Sequence, residues 1–138
     1  TDGDTTVAYI PDHEPALGAD LETLEEDWIS GFALAKDASL LIHDGQYSDA
    51  EYPCHVGWGH SATSHALSFA RRTGAERTVL FHHDPLHSDD FLDGLAAEAR
   101  RDWSALGGDP VAVELGAERN EYELPVRALE RVGTSASA

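Results

Sequence analysis

The sequence has 138 residues, enough for one compact domain with a sizeable core. Its 26 acidic and nine basic side chains leave a net charge of −17, which repels polyanions and argues against general nucleic-acid binding through a basic surface and against docking on anionic membranes. The same composition predicts a salt-adapted, halophilic protein of the cytoplasm, whose carboxylates keep the surface hydrated under heavy screening.

Cys54 is the single cysteine, so no intrachain disulfide forms, and a reducing compartment is expected. No apolar run approaches the ~18 residues needed to span a bilayer, and the start, "TDGDTTVAYIPDHEP", carries no signal peptide. With no Met anywhere, the chain is expected to begin downstream of its gene's start.

In chain order, Asp2-Gly3 supplies turn chemistry and Thr5 to Ile10 reads as the second strand of a hairpin whose first strand is missing. "PDHEP" breaks it. From about Asp20 to Ala35 the spacing predicts a helix with Leu21, Leu24, Trp28, Phe32 and Ala35 on one face. "ASLLIHD" is a buried-strand run, and "GQYSDAEYPCHVGWG" is loop. "HSATSHALSFARRTG" predicts a second helix with Ser61 as N-cap and Gly74 as C-cap.

"ERTVLFHH" is another buried strand. The third helix, "SDDFLDGLAAEARRDWSALGG", is capped at its start by Ser88 and Asp89, and Leu92, Leu95, Ala99, Trp103 and Leu106 make its apolar stripe. "PVAVEL" and "EYELPV" close as short strands. The domain is expected over residues 1–132, with 133–138, "GTSASA" at its end, as a disordered polar tail. Alternation of strand and helix means an α/β layer with largely parallel strands.

Ligands in such sheets gather beyond the carboxyl ends of the strands. Three apolar runs end there in metal-competent residues: Asp12, His13 and Glu14; His43 and Asp44; His82, His83 and Asp84. Any one of these histidines, taken alone, is more often a strand cap than a ligand; the coincidence of three runs is what points to a site. His60, in "GWGHSAT", sits ahead of a helix start, where the helix dipole favours release of a proton from the ring. Packing against Trp58 and the loop is the plainer alternative.

Together "VAYIPDHEP", "SLLIHDGQY", "GWGHSAT" and "RTVLFHHDP" resemble, in order and spacing, the carboxyl-terminal half of the metallo-β-lactamase superfamily, in its ribonuclease Z-like and phosphodiesterase-like branch. The resemblance covers roughly residues 5 to 126. It implies half of an αββα sandwich: one sheet layer with flanking helices. It implies that Asp12 bridges two metal ions, that His82 is the last metal-ligating histidine, and that His60 acts as proton donor or at the transition state. Asp44 stands where an acidic residue supports the site. His83 and Asp84 replace an aromatic residue and a serine of that branch, which puts transfer-RNA processing in doubt, and with His13 and Trp58 they are expected to shape the pocket.

The family's His-x-His-x-Asp-His motif is absent, since "HSATSH" and "HHDPLH" have other spacings. The resemblance therefore implies a partial domain whose partner is a missing amino-terminal half, with a homodimer as a further possibility.

Two divalent ions about 3.5–4 Å apart lower the pKa of a shared water and stabilise both oxygens of an in-line displacement at phosphorus. A carboxylate bridges two ions where an imidazole binds one. Mixed ligation of this kind suits zinc, with manganese or iron as alternatives. The expected function is hydrolysis of a phosphodiester or small-molecule substrate once the domain is complete, with this chain alone inactive. The competing reading is a non-catalytic interaction or regulatory module that has lost a working metal site. A phosphoacceptor receiver-type domain fits poorly, because Lys36 is in the wrong place for it. His87, His65, and the adjacent Cys54 and His55 read as loop or helix-flank residues; Tyr47 is an open case between pocket wall and packing.

Overall fold

The computed structural model describes residues 5–124. Four apolar runs form strands: β1 at Val7–Ile10, β2 at Leu40–Asp44, β3 at Thr78–Phe81 and β4 at Val113–Leu115. They lie in the order β1-β2-β3-β4, and every pair is parallel. Ala8 is in register with Leu41, Leu41 with Thr78, and Thr78 with Val113, so these side chains share one face. Ile10, His43, Leu80 and Leu115 continue that face two residues on.

Parallel neighbours need a crossover, and right-handed crossovers that advance in one direction put every connection on the same face. That face carries α1 (Phe32–Ala35), α2 (Thr63–Thr73) and α3 (Asp89–Ala105). The core between them and the sheet includes Leu41, Leu67, Phe69, Leu80 and Val113, each no more than 1% exposed. On the opposite face Val7 and Tyr9 are exposed and Ile42 and Phe81 half-buried, with the Tyr9 and Phe81 rings 5.2 Å apart. One sheet covered on one side and apolar on the other is the arrangement expected of half an αββα sandwich.

α3 begins as its sequence predicts, with Ser88 Oγ accepting from the Phe91 amide, and α2 ends on Gly74 in the left-handed conformation. Three expectations are corrected. The helix anticipated over Asp20–Ala35 is broken into two 3-10 turns, Leu21–Thr23 and Glu26–Trp28, before the short α1. The Asp20 carboxylate accepts from the Glu22 amide, and the Ser30 amide donates back to the Pro15 carbonyl. Gly31 then turns left-handed at φ 72°, where a Cβ would sit 3.2 Å from His13 Nε2. Local polar bonds and this close approach win over periodicity, and Trp28 ends 78% exposed.

The N-cap of α2 is Ala62, not Ser61, whose hydroxyl donates to the His13 carbonyl instead. Residues 121–124 form no strand; Tyr122 lies against the Arg77 guanidinium, 5.0 Å from ring centre. The Asp2-Gly3 turn, the end of "EYELPV" and the 133–138 tail lie outside the described residues.

The broken helix yields a direct test. Phe32→Ala removes a buried ring and should cost about 3–5 kcal/mol in denaturant unfolding, whereas Trp28→Ala should stay within about 0.5 kcal/mol. A continuous amphipathic helix would make both costly.

Candidate metal centre

β1, β2 and β3 end side by side, and residues at or just past their ends supply three of the site's side chains. Asp12 and His82 follow β1 and β3 in left-handed backbone, at φ 47° and 64°. For residues with a Cβ this costs roughly 1–2 kcal/mol each, and it turns two side chains from separate strands towards one point. His82 Nε2 lies 3.2 Å from Asp12 Oδ1. The His60 ring stacks on that of His82, centroids 4.9 Å apart and planes 15° apart, with His60 Nδ1 3.9 Å from Asp12 Oδ1. Asp12, Asp44, His60 and His82 each offer a ligand atom within 4.8 Å of the others'.

Their surroundings divide these four. Asp44 is fully buried at the end of β2. Its Oδ2 accepts from His60 Nδ1 at 2.7 Å, and its Oδ1 accepts from the amides of Ser61 at 2.8 Å and Gln46 at 3.3 Å. Committed in this way, Asp44 fixes the tautomer of His60, whose Nε2 remains for work outside. Asp12 is 65% exposed and His82 41%, so both keep donor atoms open. One open carboxylate and one open imidazole fit two ligands of a divalent centre, which needs further donors to close.

His13 does not face this group. Its Nδ1 pairs with His43 Nε2 at 2.7 Å, and His43 Nδ1 donates to the Asp44 carbonyl at 2.7 Å. A carbonyl can only accept, so His43 carries its proton on Nδ1 and receives one from His13 Nδ1 on its other nitrogen. Burial, with the neighbouring His13, pushes His43 down to about 3, and burial also lowers His13. Both rings are therefore neutral core groups against Phe69.

Glu14, the next residue, clamps the loop that delivers His60. Its carboxylate accepts from Tyr52 OH at 2.6 Å, from the Gly57 amide at 2.8 Å and from the Gly59 amide at 2.9 Å. Burial alone would raise this carboxyl; the bonds from Gly57, Tyr52 and Gly59 outweigh it and hold the carboxyl below its ordinary value. The sequence offered Glu14 as one of three metal-competent residues after β1; its carboxylate is instead committed to this loop, and the two glycines around Trp58 were the available signal of a close approach.

The remaining candidates lie around this group. His83 Nε2 donates to the Gly116 carbonyl at 3.3 Å, and burial lowers its pKa. Asp84 caps a turn through the Leu86 amide. Trp58 is 67% exposed. His65 packs edge-on to Tyr52, and His55 stacks on Tyr47 at 4.3 Å. His87 is bound to Glu51, a partner the sequence gave no sign of, at 2.9 Å.

Burial raises Glu51, but bonds from Ser48 and His87 prevail and bring it to about 2. A carboxyl depressed on folding stabilises above its unfolded value, and that contribution is lost as pH falls through the folded one. Between about pH 4.5 and 2, wild type should therefore lose thermal stability more steeply than Glu51→Gln. Parallel melting curves across that range would refute the pairing.

No protein-family model matches the chain. By sequence it is similar to curated proteins named ribonuclease Z: 36% identical to that of Myxococcus xanthus over 93 residues, 67% of this chain and 28% of the relative. The Salinibacter ruber protein is 32% identical over 123 residues, covering 89% of this chain and 32% of the relative. That of Gemmatimonas aurantiaca is 40% identical over 95 residues, 67% and 30%. A crystal structure of human tRNase Z, short form, is 23% identical with a TM-score of 0.49, over 78% of this chain and 32% of that one. The chain spans about a third of the length of the curated relatives it matches. By its sequence similarity to these ribonuclease Z proteins and the motifs at its strand ends, the chain resembles the ribonuclease Z-like branch of the metallo-β-lactamase superfamily.

Proposed function

We propose that this chain contributes one side of the active site of a metal-dependent phosphodiesterase acting on RNA, completed by an amino-terminal half that brings the remaining metal ligands. The observation that carries the reading is the convergence of Asp12, Asp44, His60 and His82 from three strand ends and a clamped loop. The relatives' shared name, ribonuclease Z, supports the RNA phosphodiester as substrate. The net charge of −17 still stands against broad nucleic-acid affinity.

In this reading Asp12 and His82 would hold two divalent ions, zinc first, with manganese or iron as alternatives. Bound there, the ions would acidify the attacking water and neutralise charge on the phosphate. His60, held through Nδ1 by Asp44, presents Nε2 to the leaving oxygen and gives it a proton. Asp44 positions His60 and stays out of the metal shell. The halophilic character and cytoplasmic location expected from composition belong to the same proposal, as does a homodimer.

Two measurements test it. In the complete protein, His60→Ala should lower kcat on RNA by about 10²–10⁴-fold. The loss on bis-p-nitrophenyl phosphate should be much smaller, because nitrophenolate leaves without a proton. Equal losses on both substrates would remove His60 from the role of proton donor.

The second measurement uses this chain alone. With two open donors, it should bind zinc weakly in calorimetric titration, and Asp12→Asn should abolish what binding there is. Two tight zinc ions would overturn the half-built centre. No turnover by the complete protein with zinc or manganese supplied would favour the non-catalytic module.

A further inference from the structure

Trp58 is 67% exposed, although burying an indole is among the largest gains available to a fold. Its loop is held firmly. Gly57 and Gly59, on either side of it, both donate their amides to the buried Glu14 carboxylate. Both glycines are left-handed, at φ 86° and 89°, and a Cβ at either would meet nothing within 4 Å. The backbone is anchored below while the indole projects from an open rim.

Rings connect that indole to the site. His82 stacks on His60 at 4.9 Å, and His60 meets Tyr47 edge-on at 6.1 Å. Tyr47 stacks on His55 at 4.3 Å, and His55 meets Trp58 edge-on at 4.9 Å. His55 is itself fixed, its Nδ1 donating to the Glu51 carbonyl at 2.9 Å. An aromatic strip, buried in its middle at Tyr47, thus runs from the convergent donors and ends in an exposed indole two residues before His60.

Charge narrows what the strip can hold. Lys36 pairs with Glu26, Arg71 with Glu22 and Arg77 with Glu114, while Arg72 donates to the Leu24 carbonyl. These four cations are already engaged, which leaves them little to offer a phosphate, and the net charge of −17 also weighs against phosphate contacts. A base is neutral and stacks on an indole whatever its sequence, and this attraction does not depend on cations.

We infer that Trp58 is a stacking platform for an unpaired nucleobase of the RNA substrate, next to the scissile phosphate, so that this chain grips RNA by its bases more than by its phosphates. The inference rests on the phosphodiesterase reading above and adds to it the means of substrate recognition.

The test uses the complete protein and a short unpaired RNA, with bis-p-nitrophenyl phosphate as a second substrate. Trp58→Ala should raise KM for the RNA by roughly 5- to 150-fold, the loss expected for one stacked base, with the change in KM and little in kcat. Trp58→Phe should recover most of the binding. Trp28→Ala removes an even more exposed indole elsewhere on the surface and should leave KM for the RNA as it was.

Without turnover, oligoadenylate should quench tryptophan fluorescence in wild type and in Trp28→Phe, and fail to do so in Trp58→Phe. Unchanged KM in Trp58→Ala, or quenching that persists in Trp58→Phe, overturns the platform while hydrolysis of bis-p-nitrophenyl phosphate leaves the phosphodiesterase reading intact. If wild type hydrolyses neither substrate, that reading falls and the platform with it. An indole shielded from both oligoadenylate and acrylamide in the complete protein belongs to a protein interface, which also overturns the inference.

Discussion

The buried carboxylate of Asp44 joins the sheet to the loop that carries His60, and the geometry of the candidate site depends on it. A fully buried carboxylate is costly unless its oxygens are well supplied with donors. Here the Ser61 amide and the His60 ring meet that need, with a longer contact from Gln46. The same bonds bring residue 60 back to the end of β2, fix the ring nitrogen that faces inward, and set the start of α2. Removing this carboxylate would free the His60 ring and the Ser61 amide together, while Glu14 still held Gly57 and Gly59.

A second polar chain supports the first from below. His13 and His43 are buried and neutral, and their protons run one way, from His13 to His43 and from His43 to the Asp44 carbonyl. The residues around Asp12 therefore divide their work by direction: Asp12 faces the open group, His13 the core, Glu14 the loop. Three consecutive polar residues after a strand look redundant in sequence, and each is committed to a different layer.

How much of this was legible follows from the kind of signal each part leaves. The strands were legible because parallel strands covered by helices are continuous apolar runs, as in "SLLIH" and "TVLF". The meeting of Asp12 with His82 was legible because ligands collect at the carboxyl ends of such strands, and the family resemblance pointed to the same two residues. The broken helix before β2 was not, since Leu21, Phe32 and Ala35 keep helical spacing and are buried all the same. What breaks it is the Ser30–Pro15 bond and the approach of Gly31 to His13. The Glu14 clamp was hidden for a related reason: two of its partners are backbone amides, which carry no identity in a sequence.

Burial separates the groups that hold from those left free. Asp44, His43 and Ser61 are fully buried and Glu14 nearly so, whereas Asp12 and His82 stand open. Such a division preorganises donors on a rigid base and leaves their far side for other ligands. The opening adjoins the apolar sheet face, because His82 follows Phe81 and their rings are 6.1 Å apart, and Phe81 in turn lies against Tyr9 on that face. Under the proposed reading, a single body packed on this face would cover Tyr9 and Phe81 and supply the remaining donors in one step. Metal affinity and burial of the sheet would then be linked. Neither would reach full strength without the other, which is the physical reason to expect weak metal binding from a chain whose strand ends are already in place.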